Sequence, residues 1–208
     1  MKKVIMIIGG NASGKTTTAK LIHQNCNGIS KAKEIRKLEF INENNEDDFT
    51  FVTLYDRTAH VGKVEDNQCT GTDSLNTKNK IEFSYLYLVM LSDVRIIVLD
   101  SIMSTSTWSE MIHQVNHKYD VKTILVLLNY KDIEANYVRL KQRRAHKTGE
   151  PVESIILNDT TQSNVLSKLK GFKNMFEKIK NNFNVSIEID ADLPAEEIHQ
   201  LIKQAAGL

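Results

Sequence analysis

Gly9, Gly14, Lys15 and Thr16 stand at the spacing G-x-x-x-x-G-K-T, which gathers phosphate-binding groups into one short loop. Glycines let backbone N–H groups turn inward around a phosphate, and the start of a helix adds partial positive charge. A lysine at this position reaches the outer phosphate oxygens, and the threonine hydroxyl ligates Mg²⁺. ATP with Mg²⁺ is therefore the expected ligand, held by Gly9, Asn11, Ala12, Ser13, Gly14, Lys15, Thr16 and Thr17. A GTP-selecting [NT]-K-x-D element is not matched, because Asn129-Tyr130-Lys131-Asp132 carries an inserted residue.

Four further residues have the chemistry to act on a bound triphosphate. Asp100 ends an apolar run, where a carboxylate can hold Mg²⁺ with Thr16; capping of the Ser/Thr-rich segment after it is the other reading. Arg139 and Arg143 are four apart, so a helix puts them on one face, and their guanidinium forks suit the oxygens of a moving phosphoryl group. A solvated basic face is the alternative for them and for Arg144. Asp73 is the candidate general base for an acceptor hydroxyl, or else it or Thr72 caps a helix starting near Leu75. Asp56 is a weaker candidate in a turn. His60, His113 and His117 are isolated in the sequence and are assigned no role.

These groups need rigid elements to position them. Residues 3–8 are continuously apolar and β-branched, as in a central parallel strand, and run straight into the glycines. Helical spacing over 14–26 completes a strand, loop, helix unit. Core strands are expected at 94–99, 123–128 and 185–189, and helices at 108–117, 132–146, 165–181 and from 195 onward. The alternation implies an α/β fold: a three-layer P-loop NTPase sandwich with a mostly parallel sheet and helices on both faces. Residues 40–79 break the rhythm and read as a substrate-side hairpin and loop inserted before the strand that ends at Asp100. Residues 139–151 read as a lid, and Phe83, Tyr85 and Tyr87 as core packing.

The composition excludes several classes. With 208 residues, 41% hydrophobic and 25% charged, the chain is a single globular domain rather than disordered or fibrous. Cys26 and Cys69 have no metal-ligand spacing, and the first apolar run is too short to span a membrane, so a cytoplasmic, reducing location is expected. A net charge of +1 gives no general attraction for nucleic acid, so any such partner must be held by local charge.

The glycine loop, the Val61-Gly62-Lys63 step after a hairpin, the Gly71-Thr72-Asp73 tripeptide and the Arg139–Arg144 helix together resemble the small P-loop kinases of bacteriophages. Within these, the chain is similar to the 5-hydroxymethyluracil DNA kinases. The resemblance implies transfer of the ATP γ-phosphate to the hydroxymethyl group of a modified pyrimidine in DNA. Lys15 and Thr16 would hold ATP and Mg²⁺, Asp73 would face the acceptor, and Arg143 would serve the lid. A small-molecule or nucleoside monophosphate kinase and a polynucleotide 5′-kinase share this chemistry, and an ATP-driven regulatory switch is the alternative from another class.

Overall fold

Side chains on β1 (Lys2–Gly9) alternate between two separate hydrophobic clusters, which is why this strand sits at the centre of the molecule. Val4, Met6 and Ile8 enter one cluster, Ile5 and Ile7 the other, and none of the five exposes any surface. Burial of each such side chain stabilises the fold by roughly 1.5–3 kcal/mol. The computed structural model describes residues 1–26, 33–65, 72, 75, 77–101, 112, 114 and 116–208.

The strands are β1, β2 (Glu34–Ile41), β3 (Asp47–Leu54), β4 (Thr58–Val61), β5 (Ile96–Ser101), β6 (Val121–Asn129) and β7 (Val185–Asp190). They form one seven-stranded sheet in the order β2-β3-β4-β5-β1-β6-β7. The five strands from β4 to β7 in that order run parallel, while β2 and β3 are antiparallel additions at one edge. Helix α1 (Lys15–Cys26) and α5 (Ala195–Ala206) cover one face, and α2 (Lys78–Met90) and α4 (Asp159–Ile179) the other. The protein is thus α/β, with a mostly parallel sheet between helical layers. Among the described residues, no helix is long and apolar enough to cross a membrane.

β1 and β6 are neighbours, and their carboxyl ends lead into the glycine loop and into the helix after β6, at the usual ligand position in open α/β sheets. That helix is α3 (Ile133–Thr148). Asp132 caps its start by accepting from the Glu134 N–H at 3.0 Å. Gly149 ends it in the left-handed conformation, φ 77°, with its N–H bonded to Ala145 O. His146, Lys147 and Thr148 therefore belong to this helix rather than to a lid loop.

Two expectations about the middle of the chain change. β3 and β4 do form a hairpin, but β4 also pairs in parallel with β5, so it is a strand of the core sheet and not an appended element. β2 begins at Glu34, before the expected insertion, and was not anticipated. α2 is capped by Thr77, whose side chain accepts from Lys80 N. Thr72 does not cap it: its hydroxyl donates to Val61 O at 2.7 Å. Tyr85 is fully buried as expected, with Phe83 and Tyr87 packed partly buried against the same cluster. Most of the expected 108–117 helix lies outside the described residues; Ile112, Gln114 and residues 116–118 are helical.

Candidate functional site

The parallel register of β1 and β5 pairs Ile7 with Asp100, two residues before the glycine loop begins. The loop thus rises directly beside the Asp100 carboxylate. Thr16, on the first turn of α1, donates its hydroxyl to Asp100 Oδ2 at 2.7 Å. The expected pairing of these two residues is present in the geometry. Together they offer a hydroxyl and an ionised carboxylate, the hard oxygen donors that suit Mg²⁺.

The loop itself is held in a constrained shape. Gly9 has φ +155°, and a Cβ there would meet Leu128 O at 2.5 Å, so only glycine fits beside β6. Gly14 adopts φ +83°. Ala12 is left-handed without being glycine, φ 62°, a conformation costing of order 1–2 kcal/mol that must be held by its surroundings. Tyr130 Oη donates to Ala12 O at 2.6 Å and Asn136 Nδ2 to Asn11 O at 3.0 Å, bracing the loop from outside. Lys15 Nζ donates to Gly9 O and Gly10 O, each at 3.0 Å. Ser13 Oγ is buried in the loop with no hydrogen-bond partner among the described residues, although buried hydroxyls are almost always bonded. An anion seated in the cradle would satisfy Ser13 and exchange for the lysine's carbonyl contacts.

An open cleft of about 550 Å³ extends from the loop to α3, lined by Asn11, Gly14, Thr17, Arg139, Gln142 and Arg143. The i, i+4 spacing brings Arg139 and Arg143 to one wall, as expected. Their situations differ. Arg139 is half-buried, donates to Asp192 O at 3.0 Å and lies 5.7 Å from the centre of the Tyr130 ring. Arg143 is exposed and forms no ion pair among the described residues. Arg144 turns away, with Nη2 3.5 Å from Thr161 Oγ1. Asp73 lies outside the described residues. Asp56 sits in the turn between β3 and β4, at the opposite end of the sheet from the loop.

What the sequence reading missed is a buried chain of histidines behind Asp100. His60, on β4, has Nε2 2.8 Å from Asp100 Oδ1; its Nδ1 is 3.1 Å from His23 Nε2, and His23 Nδ1 is 2.6 Å from Thr58 Oγ1. His60 is fully buried and His23 and Asp100 nearly so. Asp100 Oδ1 also accepts the Thr72 N–H at 3.1 Å. Burial alone would raise the Asp100 pKa, but His60 and the Thr16 and Thr72 donors outweigh it and hold it at about 2. His23 is held well below the ordinary histidine value by burial and by the neighbouring His60, so it is neutral. His60 carries no spacing signal in the sequence, because β4 meets β5 only in three dimensions. His23 carried one: with Ala19 and Ile22 it lies on the buried face of α1.

A scan against protein-family models finds no match to this chain, and a search of curated proteins finds none either.

Proposed function

We propose that the protein is a Mg²⁺-dependent phosphotransferase that moves the γ-phosphate of ATP to a hydroxyl acceptor. The observation that carries this reading is the 2.7 Å contact between Thr16 and Asp100 directly under a G-x-x-x-x-G-K-T loop. A glycine loop alone binds many anions; joined to a paired hydroxyl and carboxylate, it suits a triphosphate with its divalent ion. The ion, when bound, neutralises charge on the phosphate oxygens, and Thr16 and Asp100 Oδ2 are the residues that would hold it.

The chain's own groups divide the remaining work. The loop N–H groups and Lys15 orient the β- and γ-phosphates, and Arg143 meets charge that builds on the transferring group. The acceptor oxygen forms a bond to the γ-phosphorus as the bond to the bridging β,γ-oxygen breaks, releasing ADP. The acceptor proton passes to a base, the role proposed for Asp73.

For the acceptor, we favour the hydroxymethyl group of a modified pyrimidine in DNA, specifically 5-hydroxymethyluracil. Support comes from the resemblance and from the hairpin of β2 and β3, at the carboxyl end of β4. There the exposed Phe49 ring lies 4.7 Å from Lys37 Nζ and 5.2 Å from Lys80 Nζ, and Phe51 lies 5.8 Å from Lys63 Nζ. Aromatic faces flanked by ammonium groups suit unpaired bases and their phosphates. A base in duplex must first leave the stack to reach a closed site.

The test is transfer of labelled γ-phosphate from ATP to four acceptors: DNA with 5-hydroxymethyluracil, DNA with 5-hydroxymethylcytosine, unmodified DNA with free 5′-hydroxyls, and deoxynucleoside monophosphates. Label on the first, lost in Lys15→Ala, is the expected result. Label only on monophosphates or 5′-ends overturns the acceptor. ADP release with no labelled acceptor overturns phosphotransfer in favour of an ATP-driven switch.

A further inference from the structure

The two oxygens of Asp100 have different surroundings. Oδ1 accepts from His60 and from the Thr72 N–H, and so is occupied on the interior side. Oδ2 accepts from Thr16 and faces the loop. An ionised carboxylate only accepts, which fixes the proton on His60 Nε2. Behind it, His60 Nδ1 lies 3.1 Å from His23 Nε2, and His23 Nδ1 lies 2.6 Å from Thr58 Oγ1. Stacking of Tyr55 on the His23 ring, with centroids 4.3 Å apart, holds the plane of the second histidine.

From this buried chain of contacts, Thr58, His23, His60 and Asp100, we infer that His60 is a positioning residue, supported by His23, that pins Asp100 Oδ1 and reserves Oδ2 for Thr16 and Mg²⁺. The inference deepens the proposed function and rests on its assignment of the metal site. Partners that orient a metal-binding group govern affinity for the ion nearly as strongly as the group itself. Without His60, Asp100 Oδ1 would lose its side-chain donor and be held by the Thr72 N–H alone, which weakens the hold on the orientation of the carboxylate.

Two substitutions separate positioning from packing. His60→Gln keeps an N–H donor near the Nε2 position, whereas His60→Leu fills the space with no donor. We expect His60→Leu to raise the half-saturating Mg²⁺ concentration for ATP turnover by about 10–100-fold, with kcat at saturating Mg²⁺ changed only a few-fold. His60→Gln should stay within a few-fold of the parent on both measures. Equal shifts in the two variants, or no shift in His60→Leu, would overturn the inference. Nitrogen-15 NMR of the unsubstituted, ligand-free chain at pH 8 supplies a readout independent of turnover. A proton on His60 Nε2 supports the inference, and a His60 Nε2 without one overturns it. If no ATP turnover occurs at all, the proposed function fails, and the His60 Nε2 proton still decides the bond to Asp100.

Discussion

Two walls flank the glycine loop, and they are built on opposite plans. On the Asp100 wall, Thr16, His60, His23 and Thr72 are linked by hydrogen bonds of 2.7–3.1 Å, and Asp100 and both histidines are almost wholly buried. On the arginine wall, Arg143 and Gln142 are exposed, and α3 is backed by a small separate cluster of Tyr137, Leu140, Leu157 and Val165. One wall has its geometry set by buried polar groups that have little freedom to rearrange. The other presents long, solvated side chains on an element attached to the rest mainly through its own satellite core. The contrast matches what phosphoryl transfer asks of each side: fixed donors for a metal ion, and adaptable cations that converge on a substrate once it is present.

Substituting one residue from each wall tests that contrast most directly. Asp100→Ala should reduce transfer by about 10³-fold, and should also lower stability by about 3 kcal/mol because buried donors lose their acceptor. Steady-state kinetics and urea unfolding report the two effects. Arg143→Ala should reduce kcat by about 10²-fold and leave the unfolding midpoint unchanged. A comparable stability loss in Arg143→Ala would mean that the walls are equally structural.

Smaller effects should appear within the loop that joins the walls. Gly9→Ala drives a Cβ to 2.5 Å from the Leu128 carbonyl, a backbone atom of β6, whereas Gly10→Ala meets the end of the Leu169 side chain at 2.7 Å. We expect Gly9→Ala to destabilise by about 2 kcal/mol or more and Gly10→Ala by less than about 1 kcal/mol, measured by thermal melts. Equal losses would show that the strand side of the loop is no stiffer than the helix side.

The smallest effect is with pH. His23 has a folded-state pKa well below its unfolded value near 6.5, so below that pH the unfolded chain binds the proton more readily. Its contribution is fully present above about pH 6.5 and declines as pH falls below that value. Asp100, held at about 2, contributes above its unfolded pKa near 3.9 and loses that contribution only as pH falls toward 2. Unfolding at pH 7.5 and 5.5 should therefore differ in the parent and differ less in His23→Gln. An unchanged pH difference in His23→Gln would remove His23 as its source.

Legibility from sequence tracked the physics of each element. β1, β5, β6 and β7 were readable because strands in a covered parallel sheet demand apolar residues, and the glycine loop because phosphate binding demands its spacing. β2 was not: in Glu34-Ile35-Arg36-Lys37-Leu38-Glu39-Phe40-Ile41 only Leu38 is buried, and the charges mask the strand. Arg139 and Arg143 were readable from helical spacing, but that Arg139 is occupied by Asp192 depends on a loop more than fifty residues away. His60 was unreadable because its meaning comes from β4 lying beside β5.

The same charges that hid β2 have a bearing on how copies of the chain meet. Within the described residues β2 is the last strand of its edge, where open N–H and C=O groups could template an added strand. Glu34 pairs with Arg36 on one face of the strand and Lys37 with Glu39 on the other. An incoming strand would have to strip water from both pairs before gaining a backbone ladder, so the edge resists fibril-like self-propagation.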